Sequence, residues 1–309
     1  MAEKFSFSKI DCYDQCHFQY KLKYVDKNFP KGSNLAMELG TAIHKCEEDI
    51  ATAIKNNQPI DYVSIKNNLI MESARLKYLY EKDYNTPDKV NRLAGDKIYE
   101  YLETGIYKLE EFCKLHPTYQ IVGIEEPFTV NFEGKIFSGK IDRVFYDTAT
   151  NRYIIQDIKT YPVEVEKEKL ATPLQFVIYT MASKELYKCS EEQISCQYYL
   201  PFCNTAQDAG TKGYMGRGAS KLEKLFAGIC ACEYEPSPSP LCNWCPFCDT
   251  NPDATPDLRH LCPYYSIWDR DTRNKADISK VKYEWRGMEN HNLIMEDYRK
   301  EFITEGGEC

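Results

Sequence analysis

Residues Gly139–Lys159 read GKIDRVFYDTATNRYIIQDIK, and this stretch decides the predicted fold. Its two halves alternate apolar and polar residues with the period of two that is typical of strands. The polar segment Asp147–Asn151 between them predicts a hairpin loop. Because side chains two apart on a strand share a face, Asp157 and Lys159 should point the same way, with Asp142 alongside them. The sequence therefore predicts two carboxylates and one ammonium group at a single point.

This predicted group of charges is typical of a divalent metal site. Two carboxylates in close contact are unfavourable unless a cation neutralises them, and Mg²⁺ or Mn²⁺ prefers such oxygen ligands. An ion of this kind lowers the pKa of water and clamps the oxygens of a phosphoryl displacement. Lys159 beside it would hold the attacking water or offset charge on the phosphate. The alternative interpretation is a surface hairpin whose Asp and Lys side chains are merely solvated.

A helix is predicted downstream of the hairpin. Thr172 is a typical N-cap, and Pro173 is suited to the first helical position. Gln175 and Tyr179 lie four residues apart, so they share one face of this helix.

Taken in order, Gly-x-Ile-Asp at 139–142, Asp-x-Lys at 157–159 and Gln-x-x-x-Tyr at 175–179 resemble the motifs of RecB-type PD-(D/E)xK nucleases. The resemblance implies an α/β fold with a restriction-endonuclease-like mixed sheet flanked by helices. It also implies that Asp142 and Asp157 bind the metal and that Lys159 assists catalysis. Gln175 and Tyr179 would then line the DNA-facing side of the site.

A histidine motif and an acidic pair extend the resemblance. Gly40-Thr-Ala-Ile-His44 lies in a predicted amphipathic helix, where a lone histidine is more often structural than a ligand. The family's Gly-Thr-x-x-His motif nevertheless implies that His44 is a third metal ligand. Glu125 is a candidate for a group that contacts and supports the metal ligands, and Glu126 is expected in solvent. The sequence does not decide which of the two glutamates belongs to the site. The predicted buried stripe of the helix that carries His44 is Leu39, Ile43, Cys46 and Ile50.

The cysteine pattern predicts a second metal site. Cys242, Cys245 and Cys248 are spaced by two residues and Cys262 follows, a spacing used for a tetrahedral metal or an iron–sulfur cluster. These four alone would suffice for structural Zn²⁺. Cys16, in a helix predicted to begin after a Ser8 cap, resembles the first cluster ligand of iron–sulfur RecB-type nucleases. That resemblance implies a 4Fe-4S cluster on Cys16, Cys242, Cys245 and Cys262, with Cys248 as the substitute for Cys262.

Length and charge bound the remaining expectations. The 309 residues divide into a helical segment 1–118, a nuclease core 119–235 and a cysteine-rich segment 236–309. A net charge of −8 argues against a protein coated in positive charge for nonspecific duplex binding. The chain is large and we expect no signal peptide, so its 14 cysteines favour reduced thiols and metal binding over a disulfide scaffold. No run of about 18 apolar residues suggests a membrane span, so we expect a cytoplasmic protein of a bacterium, an archaeon or a phage-infected host.

The glycine-rich segment 210–218 is predicted to be a mobile loop in which Lys212 and Arg217 contact the DNA backbone. The predicted function is metal-dependent DNA cleavage, more exonucleolytic than endonucleolytic, on single strands or free ends. Of the relatives, the chain most resembles compact CRISPR-associated four-cysteine exonucleases, their phage equivalents and the AddB nuclease domain. Its partner would be a helicase or a recombination or CRISPR adaptation protein. The alternative is a non-catalytic module that keeps the fold to hold DNA ends or a recombination partner.

Overall fold

The computed structural model forms two compact units, which we name the sheet unit (Met1–Phe5 and Ser33–Ala219) and the cysteine unit (Ser6–Gly32 and Ser220–Cys309). The three-segment division predicted from the sequence stays a prediction. The structure describes residues 4–29, 35–80, 97–160, 164–166, 170–171, 173–202, 205–237, 239, 241–242, 245–247, 258 and 261–262.

A mixed sheet forms the centre of the sheet unit. The predicted hairpin is present as an antiparallel pair of β3 (Lys135–Asp147) and β4 (Arg152–Ile158). Strand β4 pairs in parallel with β5 (Ile194–Leu200), and β2 (Tyr119–Phe132) pairs along the length of β3. The sequence did not predict two short strands: β1 (Lys4–Phe5) pairs in parallel with β3, and β6 (Thr205–Ala209) pairs antiparallel with β5.

Helices flank this sheet, so the predicted α/β architecture is confirmed. The predicted stripe Leu39, Ile43, Cys46 and Ile50 is buried in one apolar core with Phe145 of β3. None of the described helices is both long and apolar enough to cross a membrane. The helices are α1 Phe7–Gln15, α2 His17–Tyr20, α3 Leu35–Lys55, α4 Tyr62–Tyr80, α5 Lys97–Glu103, α6 Lys108–Leu115, α7 Leu174–Tyr187 and α8 Tyr214–Cys230, with a π-helical turn at Lys21–Val25.

Two helix starts differ from the predictions. The N-cap of α1 is Ser6 rather than Ser8, and its side chain accepts a hydrogen bond from the backbone N–H of Lys9 at 3.3 Å. The reason is that Ser6 has the extended backbone of an N-cap, whereas Ser8 is already helical. Pro173 is the N-cap of α7, also with an extended backbone, rather than its first helical residue. The predicted cap Thr172 lies outside the described residues.

The prediction of a loop over 210–218 is wrong for its second half, because α8 begins at Tyr214. Close packing explains why glycine occurs inside this helix. A Cβ added at Gly218 would lie 2.3 Å from Cγ2 of Val177 in α7, so only glycine permits this approach.

Two alanine substitutions in α8 should therefore have opposite effects. Gly218→Ala is expected to destabilise the protein by about 1–3 kcal/mol, because the buried, β-branched Val177 must move. Gly216→Ala is the matched control, since a Cβ there meets nothing within 4 Å, and it should stabilise the protein by about 0.5–1 kcal/mol through helix propensity. Urea unfolding midpoints measure both changes. Equal midpoints for the two variants would contradict the packing.

Candidate active site

Asp142 and Asp157 come together as neighbours on β3 and β4. Arg143 and Gln156 are the last ladder partners of the two strands, so the next opposite residues are the two aspartates. A carboxylate oxygen of Asp142 accepts a hydrogen bond from the backbone N–H of Ile158 at 2.7 Å. Burial, followed by the nearby charge of Asp157, raises the pKa of Asp142 to about 7. A cation at this point would replace the proton that such a carboxyl group holds near neutral pH.

His44 approaches the same carboxylate from α3. Its Nδ1 lies 3.8 Å from Oδ2 of Asp142. Burial lowers the pKa of His44, which outweighs the opposing effect of the Asp157 charge. The imidazole is therefore neutral near physiological pH, and neutral imidazole is the form that binds metals.

Glu125 joins His44 and Asp142, and this outcome was left open by the sequence. One ligand atom from each of the three residues lies within 4.8 Å of the other two. The backbone explains the aim of the side chain, because Glu125 has a left-handed φ of 45° in the middle of β2. For a residue other than glycine such a conformation costs about 1–3 kcal/mol and is typical of functional sites. No sequence signal marks this left-handed backbone, although the acidic pair itself was a candidate. The neighbouring Glu126 instead lies near Tyr187.

Asp157 is held by Lys159 and by α7. Nζ of Lys159 lies 2.6 Å from Oδ2 of Asp157, as expected for residues two apart at the end of a strand. The amide of Gln175 donates to Oδ1 of Asp157 at 2.7 Å and to the hydroxyl of Tyr179 at 2.9 Å. Its carbonyl oxygen accepts from Lys159 at 3.4 Å. The structure thus brings these four predicted site residues together, while the contact of Gln175 and Tyr179 with DNA stays a prediction.

Lys140 is a neighbour of the site that the sequence analysis overlooked. Its Nζ lies 3.5 Å from a carboxylate oxygen of Glu125, and its side chain is 62% exposed. The spacing of two residues before Asp142 is the signal that places both side chains on one face of β3. An exposed ammonium group beside an acidic centre is suited to contact a phosphate.

The donor set fits a hard divalent cation. An imidazole nitrogen and two carboxylate oxygens, from His44, Glu125 and Asp142, are ligands that Mn²⁺ and Mg²⁺ accept. Asp157 lies next to this group, with its oxygens in contact with Lys159 and Gln175. Its predicted role as a ligand stays a prediction.

The two predicted backbone contacts, Lys212 and Arg217, lie together at the start of α8. The guanidinium of Arg217 donates to the carbonyl of Lys212 at 2.9 Å, to Oγ1 of Thr211 at 2.6 Å and to the carbonyl of Ala171 at 3.3 Å. Arg217 therefore organises the turn before α8. Both side chains are exposed, and their contact with DNA stays a prediction.

The cysteine unit gathers four of the predicted cluster ligands. Cys16 interrupts the first helical segment with an extended backbone between α1 and α2. It packs with Cys245 and Cys262 against a buried apolar cluster of Phe18, Leu22 and Phe247. Burial raises the pKa of the Cys245 thiol, and the neighbouring cysteines at 16, 242 and 262 add to the increase.

The remaining cysteine predictions differ in outcome. The backbone N–H of Ser239 donates to the sulfur of Cys242 at 3.4 Å, which is the kind of contact that supports a metal-binding thiolate. Cys248 lies outside the described residues. Cys232 is disulfide-bonded, so the expectation of reduced thiols does not hold for this residue.

Comparisons with known proteins agree with this geometry. A family model described as the PD-(D/E)XK nuclease superfamily matches residues 4–250. No curated protein matches the chain.

Proposed function

Because the chain belongs to the PD-(D/E)XK nuclease superfamily, we propose that it is a Mg²⁺- or Mn²⁺-dependent deoxyribonuclease that degrades DNA from its ends. The observation that carries the proposal is the convergence of ligand atoms from His44, Glu125 and Asp142 within 4.8 Å. A bound divalent ion supplies the positive charge that polarises the phosphodiester and lowers the pKa of the attacking water.

The residues around the ligands have separate roles in this proposal. Lys159 orients the attacking water or offsets charge that develops on the phosphate, and its side chain is 25% exposed, so it is accessible from solvent. Asp157 holds the ammonium group of Lys159 in place and is the fourth candidate for the metal. Gln175, with Tyr179 behind it, positions Asp157, and both side chains are the proposed contacts of the DNA strand.

The proposed DNA contacts begin at the metal centre. Lys140 would bind the phosphate next to the scissile bond, because its ammonium group lies beside Glu125. Lys212 and Arg217 would contact the DNA backbone further along the strand. Because the net charge of the chain is −8, these local cations and the metal, rather than the whole surface, must attract the nucleic acid.

We also propose that the cysteine unit holds a 4Fe-4S cluster on Cys16, Cys242, Cys245 and Cys262. The packing of Cys16, Cys245 and Cys262 on one apolar cluster supports this set. The cluster would join the N-terminal and C-terminal parts of the cysteine unit. Structural Zn²⁺ on the same unit is the alternative, as is Cys248 in place of Cys262.

The second candidate function is a binding module that holds DNA ends or a recombination partner without cleavage. The ion pair of Lys159 with Asp157, and the effect of both charges on Asp142, favour a working site over a decayed one. A helicase or a recombination or CRISPR adaptation protein is the proposed partner in either case.

Cleavage of end-labelled single- and double-stranded DNA with Mn²⁺ tests the proposed function. The wild-type protein should shorten the labelled DNA strand progressively, whereas the Asp157→Ala variant should be inactive. Blocking one end of the substrate should stop degradation from that end. Inactivity of all proteins, with DNA binding retained, would support the binding module instead.

Substitution of Glu125 tests its place among the ligands. Glu125→Gln is expected to weaken Mn²⁺ binding by at least about tenfold, because the variant removes one anionic oxygen from the site. Cleavage by this variant should recover at high Mn²⁺ concentration. Glu126→Gln is the matched control, since that side chain lies near Tyr187. Isothermal titration measures the Mn²⁺ affinity of both variants. Equal affinities would contradict the assignment of Glu125 as a metal ligand.

A further inference from the structure

A row of polar side chains crosses the sheet one residue away from the carboxylates. Arg143 of β3 is the ladder partner of Gln156 of β4, which is the partner of Gln197 of β5. Nε of Arg143 donates to Oε1 of Gln156 at 2.9 Å, and Nε2 of Gln156 donates to Oε1 of Gln197 at 3.2 Å. Because successive strand residues point to opposite faces, this row lies on the other face from Asp142 and Asp157.

Glu47 of α3 extends this row with a buried ion pair. Its Oε2 lies 3.1 Å from Nη1 of Arg143, and its Oε1 accepts a hydrogen bond from the hydroxyl of Tyr101 at 3.0 Å. The side chains of Glu47 and Arg143 are 0% and 1% exposed, and the guanidinium lies 4.5 Å from the ring centre of Tyr199. Removal of both charges from water is so unfavourable that such a pair is weak evidence for stability. Its best-attested use is to specify one arrangement of the elements that carry it.

The members of this row are neighbours of the site residues. Glu47 lies one turn after His44 on α3, Arg143 follows Asp142, and the ion pair is therefore a direct link between the two elements that carry these ligands. A slip of one residue between strands would turn every side chain to the wrong face. A shift of α3 would likewise change the distance between His44 and Asp142.

We propose that Glu47 and Arg143 form a positioning pair that holds His44 at the distance from Asp142 that a divalent cation requires. The inference rests on the proposed metal-dependent function. It assigns no contact with metal or DNA to either residue. The pair acts through α3 and β3.

Mn²⁺ affinity without DNA, measured together with urea unfolding, separates positioning from plain stabilisation. Glu47→Gln should lose stability, because it leaves Arg143 buried without its counter-charge. The double variant Glu47→Met/Arg143→Met replaces the pair by apolar side chains of similar length and should unfold at or above the wild-type midpoint. If the pair positions the ligands, the double variant should bind Mn²⁺ about 10- to 100-fold more weakly than wild type although it is equally stable. Mn²⁺ affinity equal to wild type in the double variant would overturn the proposal.

A milder pair of variants keeps the test decisive if the double variant fails to fold. Tyr101→Phe removes one hydrogen bond to Glu47, and Tyr62→Phe is its matched control, since Tyr62 donates to Glu110 at 2.7 Å in the same unit. Tyr101→Phe should weaken Mn²⁺ binding several-fold and Tyr62→Phe should leave it unchanged. Equal affinities would refute the positioning role. A wild-type protein that binds no Mn²⁺ would instead refute the proposed function, and the inference with it.

Discussion

Replacement of Lys159 by methionine is expected to slow DNA cleavage by about 10²–10³-fold, the loss that follows removal of one preorganised charge-stabilising donor. The reason is its position, with Nζ held 2.6 Å from Asp157 and 3.4 Å from Gln175 at the edge of the candidate metal site. Mn²⁺ should bind the variant at least as tightly as wild type, because a positive charge beside the carboxylates has been removed. Single-turnover cleavage and Mn²⁺ titration measure the two effects separately.

Two further variants show whether the loss of cleavage is specific to Lys159 and whether it reflects lost charge or lost proton transfer. Lys45→Met also removes a lysine charge next to His44, but its exposed ammonium group pairs with Glu48 and Asp49, so cleavage should be unchanged. Lys159→Arg keeps the charge without an ammonium group that can transfer a proton. Recovery of activity in the arginine variant would assign a purely electrostatic role to Lys159, and continued loss would assign proton transfer or close orientation of the water. Wild-type cleavage by Lys159→Met would remove the residue from the site.

Replacement of Cys245 by alanine is expected to remove the brown colour of anaerobically purified protein and to unfold the cysteine unit. The free energy of a structural metal site is folding free energy, about 10–16 kcal/mol for zinc in zinc-finger peptides. Cys245 is packed on the cluster of Phe18, Leu22 and Phe247, so loss of the metal also removes the support of this small core. Hydrogen exchange should become fast in α1 and α2, whereas amides of β3 and β4 keep their protection.

Cys230→Ser is the control for this prediction. Cys230 is an exposed cysteine of the same unit, at the end of α8, so its replacement should preserve colour and protection. Iron, sulfide and zinc analysis of wild type identifies the metal. A colourless protein with stoichiometric zinc would replace the iron–sulfur cluster by the zinc alternative, and unchanged metal content in Cys245→Ala would exclude the site altogether.

The relative positions of the carboxylates in the site depend on the register of the sheet more than on any single motif. The row Glu125, Asp142, Asp157 lies across three strands, and each carboxylate belongs to a different segment of the chain. Its neighbours Arg143 and Gln156 are ladder partners and hydrogen-bonded to each other. A substitution that weakens this pairing should therefore disturb metal binding even where it contacts no ligand.

Local pattern was sufficient for the elements that are built from short-range rules. The period of two before and after Asp147–Asn151 predicted the hairpin, and the Leu39, Ile43, Cys46 and Ile50 stripe predicted the buried face of α3. The spacing of Asp157 and Lys159 predicted their contact, because two residues on one strand face are close whatever the rest of the fold does.

Only the tertiary structure decided the features that depend on distant segments. Ser6 rather than Ser8 caps α1, and α8 begins inside a glycine-rich segment in which Gly218 packs on Val177. The left-handed backbone that turns Glu125 toward His44, and the burial of Glu47 against Arg143, have no signal in local sequence. The physical reason is that periodicity and capping are set by residues a few positions apart. The aim of a strained side chain and the partner of a buried charge are set by whichever elements the whole chain packs around them.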